Sequence, residues 1–508
     1  MADAESSRAR ARAAHAIGGG LFMAGERVAV QIAHLALFVV AARVLGPAEF
    51  GVFALVSACA FLLLRVAEGG WQPFILSWSG DPGVPAQVVL IAILSGLVAA
   101  LLGVAAGFAL PVFGVTGEVA LLVKLFAVWV MLAVIGAAVK GVMIWQGRLK
   151  TSAVVETGCE LAGAAVAAAA LLSDVGVLSL AIGKLVCQSL YMVLAFAVTR
   201  TRPRGGLRGA ELRQLLTVSG QLFASRLVYH LRANAATLLV GAFLGPVSVG
   251  FYRAAERLVS ALSEVVAVPT QMLSWTLFRQ VRDAHGGTTE GFQAQAELFF
   301  RVLLAVVLPL FAWLAIMGEA LIVGLIGAEW LPALPVVMLL AAARVLVVPS
   351  FATEAIMSLA GEVRRLPKVS VFYLVATVAG VSAAAPFGLV PLGVMQIAMA
   401  ALVFGTTAWL FRRYAAIDWG RIAAGMPRML TAVTLGVAAL VLLRGAPFAA
   451  EWPPLVRALV LPWPAGAVTS LYITFASAAS CIWCLMRANS KFMERLVGLP
   501  SAMRMMLR

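Results

Sequence analysis

Among the ionisable side chains inside otherwise apolar stretches of this chain are Arg27, Arg65, Arg226, Arg253, Arg257, Glu26, Glu68, Glu156, Glu160, Glu256 and Glu264, with Arg232 beside them. A charge at the centre of a membrane helix costs roughly 2.5–3.5 kcal/mol on insertion scales. Residues that bear this cost face a bundle interior or a wet cavity, where they contact cargo, carry ions or pair with one another. A guanidinium is always charged and forks onto phosphate oxygens, so arginines framing a chamber suit a phosphate-bearing anion. Arg27 and Arg226 stand at nearly equal depth in two stretches separated by 199 residues. They either contact such an anion or clamp onto a nearby acid such as Glu26 or Glu68. Arg65 is a further candidate for anion contact. Arg253, Glu256 and Arg257 are spaced by three and four and share one helix face. They either ring the mouth of a cavity or form a structural ion-pair network.

The carboxylates admit a second chemistry. Glu156 and Glu160 share a face one turn apart. Two close carboxylates without a cation make a proton carrier, whereas a Lys or Arg from a neighbouring helix would make an ordinary ion pair. Glu26, Glu68, Glu256 and Glu264 are further candidates for ion coupling, to protons or sodium. His34 and His230 either titrate near neutral pH or simply hydrogen-bond. Lys124, Lys140, Lys184, Arg301 and Glu319 stand nearer span ends, where snorkelling accounts for them.

Membrane helices must position these groups. Of 508 residues, 62% are hydrophobic and 12% charged, and the mean hydropathy is +1.00. A soluble chain carries about a quarter charged residues. About 20 apolar residues cross a bilayer as a helix. The sequence supplies fourteen such stretches, near 17–42, 49–76, 86–110, 119–145, 153–172, 176–199, 217–243, 248–275, 297–326, 333–357, 367–386, 389–411, 424–444 and 464–486. The expected fold is therefore an all-α polytopic membrane protein. The stretch from Ile17 is too long for a signal-peptide core and is read as the first span. The net charge of +15 would suggest nucleic acid in a soluble chain. Here the cations fall in alternate short loops, among them Arg148 and Lys150, Arg200–Arg213, and Arg364–Lys368. With basic loops inside, both termini are expected in the cytoplasm.

The chain also repeats itself. Leu45-Gly46-Pro47-Ala48-Glu49-Phe50-Gly51-Val52-Phe53 returns as Leu244-Gly245-Pro246-Val247-Ser248-Val249-Gly250-Phe251-Tyr252, at an offset of 199 residues. At that offset Leu63 falls on Leu262 and Gln72 on Gln271. A period this long marks two copies of one unit. Six spans separate the copies, so they enter the membrane in the same direction as a parallel repeat, the layout of transporters with a central site. The expected domains are a six-helix lobe over 1–205, a second over 206–412, and a helix pair with a basic tail over 413–508. The tail after Arg487 is either an amphipathic helix on the inner face or unstructured.

Several chemistries are excluded. The sequence holds no Gly-x-x-x-x-Gly-Lys-Ser/Thr loop and so no ATPase site of that kind. The five cysteines all fall in apolar spans, and Cys481 and Cys484 lack a second ligand pair. Neither a metal nor a cofactor is expected, and short outer loops argue against a catalytic domain.

The run Ala41–Leu55, with its echo Leu244–Leu258, resembles the oligosaccharide-lipid flippases of the polysaccharide transporter family. These belong to the superfamily that includes multidrug and toxin extruders and the lipid II flippase. The resemblance implies a protein without enzymatic activity in a bacterial inner membrane. It implies transfer of an undecaprenyl-pyrophosphate-linked oligosaccharide to the periplasmic leaflet by rocking of two lobes, for surface polysaccharide assembly. Its implied partners are that lipid-linked glycan, membrane lipids, a coupling proton or sodium ion and polysaccharide-assembly proteins, without nucleic acid. A cation-coupled drug or metabolite exporter and a lipid II flippase are the alternatives.

Overall fold

The computed structural model describes residues 2–206, 209–444 and 452–460. Among these residues every regular element is a helix, with no strand. In chain order the helices are α1 (Ala2–Glu68), α2 (Trp71–Ser77), α3 (Val84–Ala109), α4 (Gly117–Trp145), α5 (Leu149–Leu172), α6 (Leu178–Thr199) and α7 (Gly209–Ala284). They continue as α8 (Phe292–Leu325), α9 (Leu334–Val347), α10 (Thr353–Leu359), α11 (Leu366–Ala384), α12 (Leu389–Tyr414), α13 (Trp419–Ala424), α14 (Pro427–Arg444) and α15 (Pro454–Val460). Ten segments among the described residues are long and apolar enough to cross a membrane. Two of these, Val30–Ser77 and Leu227–Ala284, run for 48 and 58 residues, more than twice the length of one crossing. Each therefore holds a pair of the expected spans. The thirteenth expected span corresponds to α14, and the fourteenth, 464–486, lies outside the described residues. The protein is an all-α, multi-pass membrane protein. On α3, Leu94, Leu97, Val98, Leu101, Leu102 and Phe108 are exposed along one side, an apolar stripe suited to lipid.

The turns expected at Gly46-Pro47 and Gly245-Pro246 are kinks inside long helices. Gly46 has φ 66° and ψ 177°, and Gly245 has φ 78° and ψ 179°. Proline disfavours helical ψ in the residue before it, and a positive φ is open mainly to glycine. The dipeptide thus dictates one bend in both copies of the repeat, after which proline begins a new helix without losing a hydrogen bond.

By contacts the chain forms two compact units. One comprises Met1–Ala254, Ile326–Pro332 and Pro367–Leu392. Its core is built on α4, where Phe126, Val130, Val134 and Val139 pack among Val88, Val89, Ala92 and Tyr191. The other comprises Ala255–Leu325, Ala333–Leu366 and Gly393–Arg508. Its core centres on an aromatic cluster of Phe278, Phe292, Phe299, Phe300, Phe411 and Trp419. Here α13 is held to α8 by Arg301, which donates to the carbonyls of Arg421 and Ile422. Trp313 Nε1 donates to the Ala458 carbonyl at 3.0 Å, and Arg444 pairs with Glu319. Helices α13, α14 and α15 are thereby docked on α8.

Candidate functional site: a reciprocal helix crossing and an intramembrane charge cluster

In the first unit the two copies of the nine-residue motif meet each other. A Cβ on Gly51 would overlap the carbonyl of Pro246, and a Cβ on Gly250 would overlap the carbonyl of Pro47. The pairs exchange under the same 199-residue offset, so the contact is self-complementary, as across a two-fold axis. Small residues let membrane helices approach to backbone contact. Trp330 seals this crossing. Its side chain is fully buried, with its ring edge-on to Phe50 and Phe251 at centroid distances of 5.7 and 6.1 Å. Its Nε1 donates to the Ala42 carbonyl at 3.2 Å. Sequence inspection passed over Trp330 because it lies in a short connection, without periodicity to mark it.

Helix α1 packs against α3, α4 and α5, and α5 and α6 pack together. The α5–α6 contact is again reciprocal: a Cβ on Gly163 would overlap the Gly183 carbonyl, and one on Gly183 the Gly163 carbonyl. Glu160 lies one turn before Gly163, and Lys184 immediately follows Gly183. This close approach brings the carboxylate and the ammonium within electrostatic reach, with the Cys187 thiol beside them. Lys184 also stands 5.6 Å from the Phe61 ring centre and 5.8 Å from that of Trp129.

Each α5 glutamate has its own partner. Glu160 Oε2 lies 3.1 Å from His34 Nε2 on α1. Lys140 Nζ on α4 donates to both oxygens of Glu156, at 2.7 and 2.6 Å. The two carboxylates therefore do not form a pair without a cation, the arrangement that would make them a proton carrier by mutual repulsion. Lys140 and Lys184, read from the sequence as snorkelling residues, and His34 all belong to the cluster. Their spacing carried no signal, because the cluster assembles across four helices.

Arg65 and Glu68 form an i,i+3 pair, with Arg65 Nη1 donating to Glu68 Oε2 at 2.5 Å. Glu68 is buried, and Arg65 Nε has no hydrogen-bond partner among the described residues. A guanidinium offers five donors, so Arg65 retains capacity for a further acceptor. On α7, Arg253, Glu256 and Arg257 are half-buried and each is engaged by a neighbour, while Glu264 is exposed. The side chains of Glu26, Arg27 and Arg226 lie outside the described residues. Their helices are placed, and the backbones fall within α1 and α7.

The Lys140–Glu156 pair gives a direct test. Both side chains are only partly enclosed by protein, at 28% and 46% exposure, so the pair's value is modest. Lys140→Met is expected to cost about 1 kcal/mol in an unfolding titration in detergent. The double variant Lys140→Met/Glu156→Leu is expected to cost less than Lys140→Met, because it strands no charge.

A family model described as polysaccharide biosynthesis protein matches residues 40–335, more than half of the chain and both copies of the motif. The chain belongs to this family. Within the curated relatives, it is 24% identical over 233 residues to the teichuronic acid biosynthesis protein TuaB of Bacillus subtilis (strain 168), covering 45% of this chain and 47% of that one. It is 23% identical over 310 residues to the succinoglycan biosynthesis transport protein ExoT of Rhizobium meliloti (strain 1021), covering 61% and 62%. The matches thus span about half of the first relative's length and under two thirds of the second's. The fold is similar to that of a solved structure of the lipid II flippase MurJ in an inward closed conformation. The TM-score is 0.66 at 11% identity, over 92% of this chain and 99% of that one. The chain thus has a fold similar to that of the flippase.

Proposed function

We propose that this polysaccharide biosynthesis protein is a flippase of a bacterial inner membrane. It moves an undecaprenyl-pyrophosphate-linked oligosaccharide from the cytoplasmic to the periplasmic leaflet by alternating access. The observation that carries this reading is the reciprocal crossing of Gly51 on Pro246 and Gly250 on Pro47. Two copies of one helical unit, meeting through equivalent residues, make the symmetric frame on which alternating-access transporters are built. Family membership and the transport role in the name of the Rhizobium relative support the cargo class.

In this reading residues 1–205 and 206–412 are the two rocking lobes, 413–508 is an accessory helix pair with a basic tail, and both termini are cytoplasmic. Arg27, Arg226, Arg65, Arg253 and Arg257 supply the positive field for the diphosphate. The free Nε of Arg65 supports its part. Glu26, Glu68, Glu156, Glu160, Glu256 and Glu264 are the ion-coupling candidates. No covalent step is involved, because the cargo changes leaflet and not bonding.

The test is made in cells. Deletion is expected to abolish the surface glycan and to trap its lipid-linked precursor on the cytoplasmic face, accessible to inside-facing probes in everted vesicles. Arg27→Ala/Arg226→Ala, at equal protein level, is expected to behave as the deletion does. Normal surface glycan in the deletion strain would overturn the flippase reading. Normal export by the double variant would remove the two arginines from it.

A further inference from the structure

We infer that Arg200, Arg202 and Arg204, at the foot of the leucine stripe on α3, form a binding site for anionic phospholipid of the surrounding bilayer. The site lies wholly within the first unit and stands whatever cargo the protein moves.

Three connections meet at one end of that unit: 78–83 between α2 and α3, 146–148 between α4 and α5, and 200–206 between α6 and α7. Trp145 Nε1 donates to the Trp78 carbonyl at 2.9 Å, Gln146 Nε2 to the Thr199 carbonyl at 3.3 Å, and Arg148 to the Val198 carbonyl. The third connection is laid on the first turns of α3. The Arg204 N–H donates to the Ala86 carbonyl at 3.4 Å, and Cβ atoms on Gly205 and Gly206 would touch Leu90 and Gln87. These ties make 200–206 an ordered shelf and not a free linker. With the first turn of α5, the three connections carry Arg148, Lys150, Arg200, Arg202 and Arg204 against one acid, Asp81, which accepts from the Gly83 N–H at 2.8 Å. Glu211 follows on the first turn of α7.

Arg200, Arg202 and Arg204 are exposed, and their guanidiniums have no partner among the described residues. Arg200 ends α6 with φ 52° and ψ 27°, which turns the chain off the helix. Pro203 holds Arg202 extended, so Arg202 and Arg204 stand up to about 7 Å apart along the backbone. Two forks so placed suit two neighbouring phosphodiesters, whereas a diphosphate concentrates its charge at one point.

The leucine stripe supplies the other half of a site for an amphiphile. Leu90, Leu94, Leu97 and Leu101 follow at spacings of four, three and four, so they line one face of α3. The last three are 54%, 43% and 61% exposed. From Leu90 to Leu101 the helix rises roughly 16 Å, about the depth of one leaflet in a hydrocarbon core ~30 Å thick. The shelf rests on Ala86–Leu90, so phosphate and acyl chain are received end to end. Trp78 and Trp145, half-buried beside the shelf, set its level at the membrane interface, where tryptophan collects. Basic clusters at that level attract anionic lipid.

The test uses the full chain in detergent micelles, with lipid retention read by native mass spectrometry. Phosphatidylglycerol is expected to be retained over phosphatidylcholine of the same chains by roughly tenfold. Arg202→Gln/Arg204→Gln is expected to abolish that preference at an unchanged unfolding midpoint, because neither guanidinium has a partner to lose. Arg279→Gln/Arg282→Gln removes the same charge from the end of α7 and is expected to keep the preference. Leu94→Ala/Leu97→Ala is expected to weaken retention of both lipids and to leave the preference intact. Equal retention of the two lipids by the wild type, or equal losses in the two arginine pairs, would overturn the site. Unchanged retention in the leucine variant would remove the stripe from it. Phosphatidylglycerol is expected to stay bound in excess inorganic pyrophosphate as it does in sodium chloride of equal ionic strength. Displacement by pyrophosphate alone would assign the shelf to the cargo's diphosphate and overturn the choice of phospholipid. No cargo is present, so failure of the flippase reading, seen as normal glycan in the deletion strain, is distinguishable from failure of this site.

Discussion

Alanine at Gly51 and alanine at Gly250 are each expected to destabilise the protein by about 2 kcal/mol, and the double variant by clearly less than the sum. Either Cβ would occupy the place of a carbonyl in the opposite motif, and overpacking of this kind costs roughly 1–3 kcal/mol. A carbonyl cannot rotate out of the way as a side chain can, so the two helices must part. Once they have parted, the second Cβ meets little, and neighbouring sites that share one contact are not additive. Gly158 on α5 is the control, because nothing lies within 4 Å of a Cβ there. Alanine at Gly158 is expected to be neutral or to stabilise by up to about 1 kcal/mol through helix propensity. Unfolding midpoints in detergent for the four variants decide the matter. Additive losses would mean that the two glycines act separately and that the crossing is not one contact.

Trp330→Ala is expected to have the largest effect of a single side-chain truncation at this crossing. Removing a fully enclosed indole costs about 3–5 kcal/mol in packed cores. Here the ring is edge-on to Phe50 and Phe251, so both aromatic contacts vanish with it. Trp330→Phe keeps a ring in place and loses mainly the hydrogen bond to the Ala42 carbonyl. That variant is expected to cost about 1 kcal/mol. Equal losses in the two variants would show that the indole N–H, and not the packing, holds Trp330 in place. Thermal unfolding followed by intrinsic fluorescence separates the two, with Trp330→Phe also giving the fluorescence contribution of this indole.

The fold was legible from the sequence for a physical reason. Lipid allows few spanning architectures, so runs of apolar residues broken by Gly-Pro pairs already imply a helical bundle. The repeat was legible because Gly46-Pro47 and Gly245-Pro246 impose the same backbone bend wherever they occur. The charge cluster was only partly legible. Glu156 and Glu160 stood out as carboxylates one turn apart, but their partners come from α1, α4 and α6, 126 residues away in the case of His34. Lys184 resembled an end-of-span residue because depth along its own helix was the only measure available. What moves it to the cluster is the Gly163–Gly183 approach, a tertiary contact that two isolated glycines do not announce. Trp330 was missed altogether, since a single aromatic in a connecting segment has no pattern against which to register.

The meeting of the two motifs constrains how such a gene can age. After a duplication, most positions in the two copies are free to drift apart, because each packs among different neighbours. Gly51 and Gly250 are not, since each is the surface against which the other copy's proline must fit. A change in one is felt at once by its twin, so neither glycine can be altered without disturbing both copies. Ancestry is therefore written most plainly at the point where the descendants still touch.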